Sequence, residues 1–232
     1  MEKIRILILI IILSIMIVGC KKESNISNPS AEGEKSNLTF IKDTIENWTL
    51  GKRKILKLGL IANTTNAITE YVSTTIDSNG IFFISLDQVK PSNLTSIVQI
   101  ENLPVSFINI SDPNVKGALG EMLIYNPDTV KPSWMAACIS KINRDSIGSY
   151  TLDFLYVESN MDITGTFVGY SLVDGKNDTV TYNYDLHYKA GWNKIVCTLT
   201  SRTEYGLNVN ESYHFSNSEN SDSEWFVWFI RL

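Results

Sequence analysis

From Thr39 onward, apolar and polar residues alternate over short runs divided by turn residues, a period of two that predicts β-strands rather than helices. Leu56, Leu58 and Leu60 share one face of the first clear run, and Ile68, Val72 and Ile76 share a face of the next. Asp77-Ser-Asn-Gly80 then supplies a tight turn, after which Phe82, Ile84 and Leu86 resume the alternation. Asn and Gly tolerate positive φ at least cost, so Asn79-Gly80 predicts a hairpin between the flanking strands. Between Pro91 and Pro104, Leu94, Ile97 and Val98 fall at helical spacing, which predicts a short helix and a boundary between modules. Beyond the boundary, strand candidates cover 105–110, 118–125, 134–142, 150–157, 161–168, 179–188, 194–200 and 225–230. That density is expected of a second sandwich or an open barrel. The pattern therefore predicts an all-β fold of two β-sandwich-like modules, 39–103 and 104–232.

Two of these runs carry more detail. In 180–188, Val180, Tyr182, Tyr184, Leu186 and Tyr188 occupy one face, and Thr181, Asn183, Asp185 and His187 the other. One face should be buried and the other wet. The run Trp225-Phe-Val-Trp-Phe-Ile230 has no polar residue on either face. It is expected to be a central strand covered on both sides, or an edge that meets a partner.

The N-terminus breaks the β pattern. Lys3 and Arg5 precede an apolar run from Ile6 to Val18, interrupted by Ser14 and closed by Gly19-Cys20. That is the layout of an export signal, and its apolar run is shorter than the roughly 20 residues of a comfortable membrane span. Ile17-Val18-Gly19-Cys20 resembles a bacterial lipobox. The resemblance implies cleavage after residue 19, a diacylated Cys20 as the new N-terminus, and a membrane anchor of lipid, since each buried CH₂ contributes about 0.8 kcal/mol. Residues 21–37 hold one Ile among Lys, Glu, Ser, Asn, Gly, Pro and Ala. Residues 20–38 are thus expected to be a flexible tether, with an r.m.s. reach of roughly 20–25 Å. Lys21-Lys22 follow the cysteine in place of an inner-membrane retention Asp, which by analogy with sorted lipoproteins favours the outer membrane.

Further resemblances bear on the folded part. Residues 48–86 resemble the opening of transthyretin-like or immunoglobulin-like modules of bacterial surface proteins, with two strands, a D-x-N-G turn and an apolar third strand. The block from Val180 through Gly191-Trp192-Asn193 to Val196 is similar to a segment of uncharacterised bacterial cell-envelope lipoproteins, with Tyr188 in place of a second Leu. This implies an envelope β-protein and brings no activity with it. The Gly-Trp-Asn is expected to form a hairpin turn with the indole folded over adjoining strands.

Composition narrows the chemistry. Of 232 residues, 20 are Lys or Arg and 25 Asp or Glu, a net charge of −5 without the basic surplus that phosphate neutralisation needs, so nucleic acid is not an expected partner. With 2 His and 3 Cys, no metal site or cofactor is expected, and no C-x-x-C, G-x-S-x-G, H-E-x-x-H, phosphate loop or dinucleotide fingerprint occurs. Asp77-Ser-Asn-Gly80 lacks the later Glu of an EF-hand loop. Asp185 and His187 could form a base and its orienter, though an exposed Asp-x-His is more often a solvated face, and His214 reads as a packed or interface residue. Glu121, Asp153, Glu158 and Asp162 could supply a glycosidase pair only if the fold set the right spacing. Cys138 and Cys197 form a disulfide or remain two buried thiols.

Aromatic residues near strand ends or turns, Trp134, Trp192, Tyr205 and Trp225, could stack on sugars, against the alternative that they fill or cap the core. The expected function is non-enzymatic interaction of a lipid-anchored chain with other surface components, its partners being the membrane through the N-terminal lipid and other envelope proteins or glycans. Carbohydrate binding is the alternative, and a hydrolase with an unrecognised site the second alternative.

Overall fold

The computed structural model describes residues 36, 38–61, 68–87, 89–129, 134–140, 146–173, 176–206, 208–217 and 223–229. The predicted signal, the lipidation site Cys20 and the tether up to residue 35 lie outside the described residues. The strands in chain order are β1 (Phe40–Thr44), β2 (Lys54–Ile61), β3 (Ile68–Ile76), β4 (Ile81–Ser85), β5 (Thr95–Ser96), β6 (Asn109–Ile110) and β7 (Lys116–Tyr125). They continue as β8 (Trp134–Ser140), β9 (Tyr150–Val157), β10 (Met161–Val173), β11 (Lys176–Tyr188), β12 (Gly191–Tyr205), β13 (Asn208–Ser216) and β14 (Ser223–Phe229). One short helix, α1 (Ile97–Ile100), lies between the two prolines that bracket it in the sequence. The fold is all-β and sandwich-like.

A large sheet runs in the order β3-β2-β7-β8-β9-β12-β13-β11-β10-β6, with β5 paired to β7 and β14 to β8, and a second sheet consists of β1 and β4. β7 and β9 pair antiparallel over Gly117–Gly120, and β8 pairs antiparallel with Met122–Ile124 of the one and with Leu152 and Thr151 of the other. A flat sheet cannot hold three strands that are all mutually antiparallel. The two strands must therefore bend apart, with β8 lying across the fork, and the sheet turns a corner there.

Two cores occupy the two faces of this sheet. On one face the small sheet contributes Ile41, Phe82 and Ile84, which pack with Leu56 and Leu58 of β2, Ile124 of β7, Phe154 of β9 and Trp192 of β12. On the other face, Ile97 of α1 and Leu103, Ile108 and Val115 of the following loop cover Leu155 and Val157 of β9, Ile163, Leu186, Tyr188 and Ile195. Phe154 and Leu155 are sequence neighbours in opposite cores, as the two-residue period of a strand requires.

The expected boundary between residues 103 and 104 does not separate two sheets. β2 and β3 belong to the same sheet as β7 to β14, and Leu103 packs with residues from 155 to 195. The Asp77–Gly80 turn forms as expected: Asp77 Oδ1 accepts the amides of Asn79 (2.7 Å) and Ile81 (2.9 Å), and Gly80 takes a φ of 83°. It does not close a hairpin ladder, because β3 pairs with β2 while β4 pairs with β1 in the other sheet. The Gly191-Trp192-Asn193 segment behaves likewise. Asn193 accepts from the Lys189 amide (3.0 Å) and donates to the Lys189 (2.8 Å) and Gly191 (2.9 Å) carbonyls, yet β11 leads to β13 and β10 while β12 pairs with β9 and β13. The turn is local, and the strands beside it part company.

Three strands add to this picture. The 105–110 run reduces to β6, because its apolar residues serve as loop cover for the sheet. β13 is a strand although its sequence is half polar. β14 pairs with β8 alone among the described residues, so of the two arrangements expected of the C-terminal run it takes the edge there.

Candidate functional site

The second core is covered only as far as α1 and the loop after it extend. Beyond that cover, β10, β11 and β13 present a row of half-buried rings on the same face. The registers bring them together: Phe167 opposes Tyr182 across the antiparallel β10/β11 pair, and Tyr182 opposes Tyr213 and Tyr184 opposes Phe215 across the parallel β11/β13 pair. Ring centroids lie 6.2 Å apart for Phe167 and Tyr182, 6.1 Å for Tyr182 and Tyr213, and 5.1 Å for Tyr184 and Phe215, with interplanar angles of 9°, 21° and 15°. Phe107, exposed in the covering loop, continues the row at 5.5 Å from Phe167. Near-parallel cross-strand rings turn their faces to one another and their edges to solvent. Each such pair contributes about 0.5–1.5 kcal/mol beyond its burial.

Polar groups bound the row at one end. A bulge between Leu199 and Ser201 shifts the β12 register so that Arg202 opposes Glu211. Arg202 Nη1 lies 3.1 Å from Glu211 Oε1, and the Tyr213 hydroxyl donates to Glu211 Oε2 at 2.8 Å. Burial, reinforced by the Glu211 charge, pushes the Tyr213 phenol upward, and burial does the same at Tyr182 and Tyr184, so these phenols stay neutral at physiological pH.

The other end is acidic. Glu101 follows α1 directly, and its amide donates to the Ile97 carbonyl at 2.9 Å. Burial of its carboxyl, with the charge of Asp153 nearby, pushes Glu101 up to about 7. The Tyr188 hydroxyl is buried without a hydrogen-bond partner among the described residues and is raised by the same burial and by Glu101. Cys197 opposes Phe215 in the ladder, and burial pushes its thiol up to about 12. A thiol so disfavoured from ionising is not a nucleophile at neutral pH.

The residues singled out in the sequence fall mostly elsewhere. Trp192 is not a ligand platform: it is 2% exposed, its Nε1 donates to the Val89 carbonyl at 3.0 Å, and its indole meets Tyr71 and Tyr156 in the first core. Tyr205 is exposed at the tip of the β12/β13 hairpin, away from the row. Trp134 and Trp225 are in β8 and β14, and their side chains lie outside the described part. Cys197 is a free thiol. Cys138 opposes Leu152 while Cys197 opposes Thr151 from the far side of β9, so two strand spacings, about 9–10 Å, part their backbones, beyond the reach of a disulfide.

His187 does face its carboxylate, and a second one besides. Its Nδ1 lies 2.8 Å from Asp162 Oδ1 and its Nε2 3.1 Å from Asp185 Oδ1. The Asp162 hydrogen bond, ahead of the Asp185 contact, raises the imidazole and favours its charged form. Both ring nitrogens are engaged, which leaves none to take a proton from a substrate. Glu158 accepts the Lys116 amide at 3.0 Å. Of the four carboxylates considered for hydrolysis, Asp153 alone joins the site, beside Glu101. Glu101 was hidden in the sequence because it lies in the segment that reads as a linker. Tyr213 and Phe215 were hidden because β13 reads as polar, although their i, i+2 spacing beside the Tyr182, Tyr184 alternation is a usable signal.

Comparison of the chain with protein-family models, curated proteins and solved structures finds no match. Among the described residues no group of three or more metal-ligating side chains gathers, and no helix is long and apolar enough to cross a membrane.

Proposed function

We propose that the protein is a lipid-anchored component of the cell envelope, in the outer membrane where there is one, and that it acts without catalysis by binding other envelope proteins across the aromatic row. The observation that carries the binding reading is the continuous row of rings from Phe107 through Phe167, Tyr182 and Tyr213, with Tyr184 and Phe215 beside it. Half-buried aromatic residues with neutral phenols, bordered by an Arg–Glu pair, have the composition of a protein-binding surface. The saturated His187 and the un-ionised Cys197 weigh against acid–base and nucleophilic catalysis. The lipid anchor rests on the charged, apolar and Val18-Gly19-Cys20 regions of the N-terminus.

Carbohydrate binding is the second reading, favoured by Tyr213, Glu211 and Arg202 together beside the rings. It ranks second because a sugar stacks on the flat face of a ring, and here the faces are turned toward one another. A photo-crosslinking residue at position 182, in cells, is expected to trap envelope proteins and to lose them when Tyr213 is changed to Ala. Binding of the same chain to a glycan array, lost in Tyr213→Ala, would reverse the ranking. Turnover of a glycoside that stops in Glu101→Gln would replace both readings with the hydrolase.

A further inference from the structure

The small sheet carries large apolar side chains on both sides. Its inner face buries Ile41, Phe82 and Ile84 in the first core. Its outer face consists of the cross-strand pairs Phe40 with Ser85, Lys42 with Phe83, and Thr44 with Ile81. Phe40 is 53%, Phe83 49% and Ile81 41% exposed, and the two phenyl rings stack at 5.6 Å. A two-layer β-protein normally turns polar positions outward at such a face. Here three of six positions are large and apolar, one is a lysine and none is a carboxylate. Rings and aliphatic side chains around a lysine have the chemistry of a surface that settles into the headgroup region of an anionic bilayer.

The course of the chain points to the same occupant. Ser36 is fastened to the large sheet, its amide donating to the Ala190 carbonyl at 3.0 Å and its hydroxyl bonding the Trp192 carbonyl. Phe40 is four positions further along the chain, so the point where the tether leaves is at most about 14 Å from the patch. A lipid on Cys20 would hold the bilayer within the roughly 20–25 Å reach of that tether. At that effective concentration, a weak apolar contact suffices. We propose that the outer face of β1 and β4 rests on the bilayer that anchors the chain, an inference that depends on the lipid-anchor reading. The aromatic row lies on the opposite face of the large sheet, so this docking turns it away from the membrane, toward partners.

The test is hydroxyl-radical footprinting of the lipidated chain in vesicles of phosphatidylcholine and phosphatidylglycerol. The reference is the Cys20→Ser chain, starting at residue 20, free in buffer. Oxidation of Phe40 and Phe83 should fall several-fold on the vesicles, while Tyr170 and Tyr205, 76% and 67% exposed, should react equally in both. A lipidated Phe40→Ser/Phe83→Ser chain should keep its melting transition and its anchor but lose the protection of Ile81. Equal oxidation of Phe40 and Phe83 in the two states overturns the docking, and so does protection in buffer that fades on dilution, which would assign the patch to a second copy. Failure of the anchor is read separately: a chain that takes up no labelled palmitate in cells has no lipid at Cys20, whereas a labelled chain with reactive phenylalanines fails the docking alone.

Discussion

The two faces of the large sheet are built from the same strands and finished differently. One is covered by a second sheet, whose regular rows match those beneath and close over Phe154 and Trp192. The other is covered by one turn of helix and an irregular loop, which reach as far as Leu155, Ile163 and Tyr188 and then end. The small sheet covers β2, β3, β7, β9 and the start of β12, and beyond it the same face of β10 and β11 is polar, with Asp162, Asp185 and His187 in water. A loop covers only what its few apolar side chains can touch, so rings of β10, β11 and β13 are left half exposed. The closed face supplies stability, and the open face supplies a surface for something else to complete.

The sharpest way to break this comparison is to damage each face from the same strand. Phe154→Ala should cost about 3–5 kcal/mol and Leu155→Ala about 2–5 kcal/mol, as buried side chains removed from packed cores do. Both should lower a single cooperative transition in thermal unfolding followed by circular dichroism. Two transitions, one moved by each substitution, would show that the two cores unfold separately.

Gly117 tests the junction between the sheet and its irregular cover. A Cβ there would stand 2.2 Å from the Tyr156 carbonyl oxygen and 2.2 Å from Ile97 Cδ1. Ile97 can shift and a paired strand cannot, so Gly117→Ala should cost about 3 kcal/mol, the upper end for over-packing, as read from chemical denaturation.

The open face should respond to pH through Glu101. Its folded pKa of about 7 exceeds the ordinary carboxylate value, so folding favours the neutral acid. Stability is then full below about pH 4 and is lost as pH rises toward 7, by roughly 1–3 kcal/mol. Glu101→Gln should flatten that loss, and denaturation midpoints at pH 4.5 and 8 measure it. A wild-type curve that rises over this interval would place the carboxyl in water.

The ring pairs should matter less to folding than to binding. A double-mutant cycle on Tyr184 and Phe215 is expected to give a coupling of about 0.5–1.5 kcal/mol. Tyr213→Ala should leave the fold cooperative and remove partner crosslinks, whereas Trp192→Ala in the closed core should unfold the chain before it changes any partner. His187 comes last. Its raised pKa makes the contribution of its two carboxylates complete below about pH 6.5 and lost as pH rises through the folded value, and at this exposed position it is worth less than about 1 kcal/mol. Replacement by Gln should therefore shift the melting temperature slightly at pH 5.5 and less at pH 9.

Alternation alone determined much of the strand layout. β9 occupies 150–157, the span its pattern predicts, and the turns at Asp77–Gly80 and ahead of Trp192 are where short-range hydrogen bonds from Asp77 and Asn193 put them. These features depend on residues within a few positions of one another, and the sequence carries that information directly. The choice of partner strand does not. Whether β3 turns back on β4 or hands it to another sheet, and whether β11 pairs with β12 or parallel to β13, depends on which apolar faces must be buried together over long stretches of chain. β13 makes the point most clearly. Its Asn, Glu and Ser residues give it little reason to be a strand alone, and it exists because β11 and β12 supply backbone partners on both sides. Only that tertiary insertion sets Tyr213 and Phe215 beside Tyr182 and Tyr184 and makes the row.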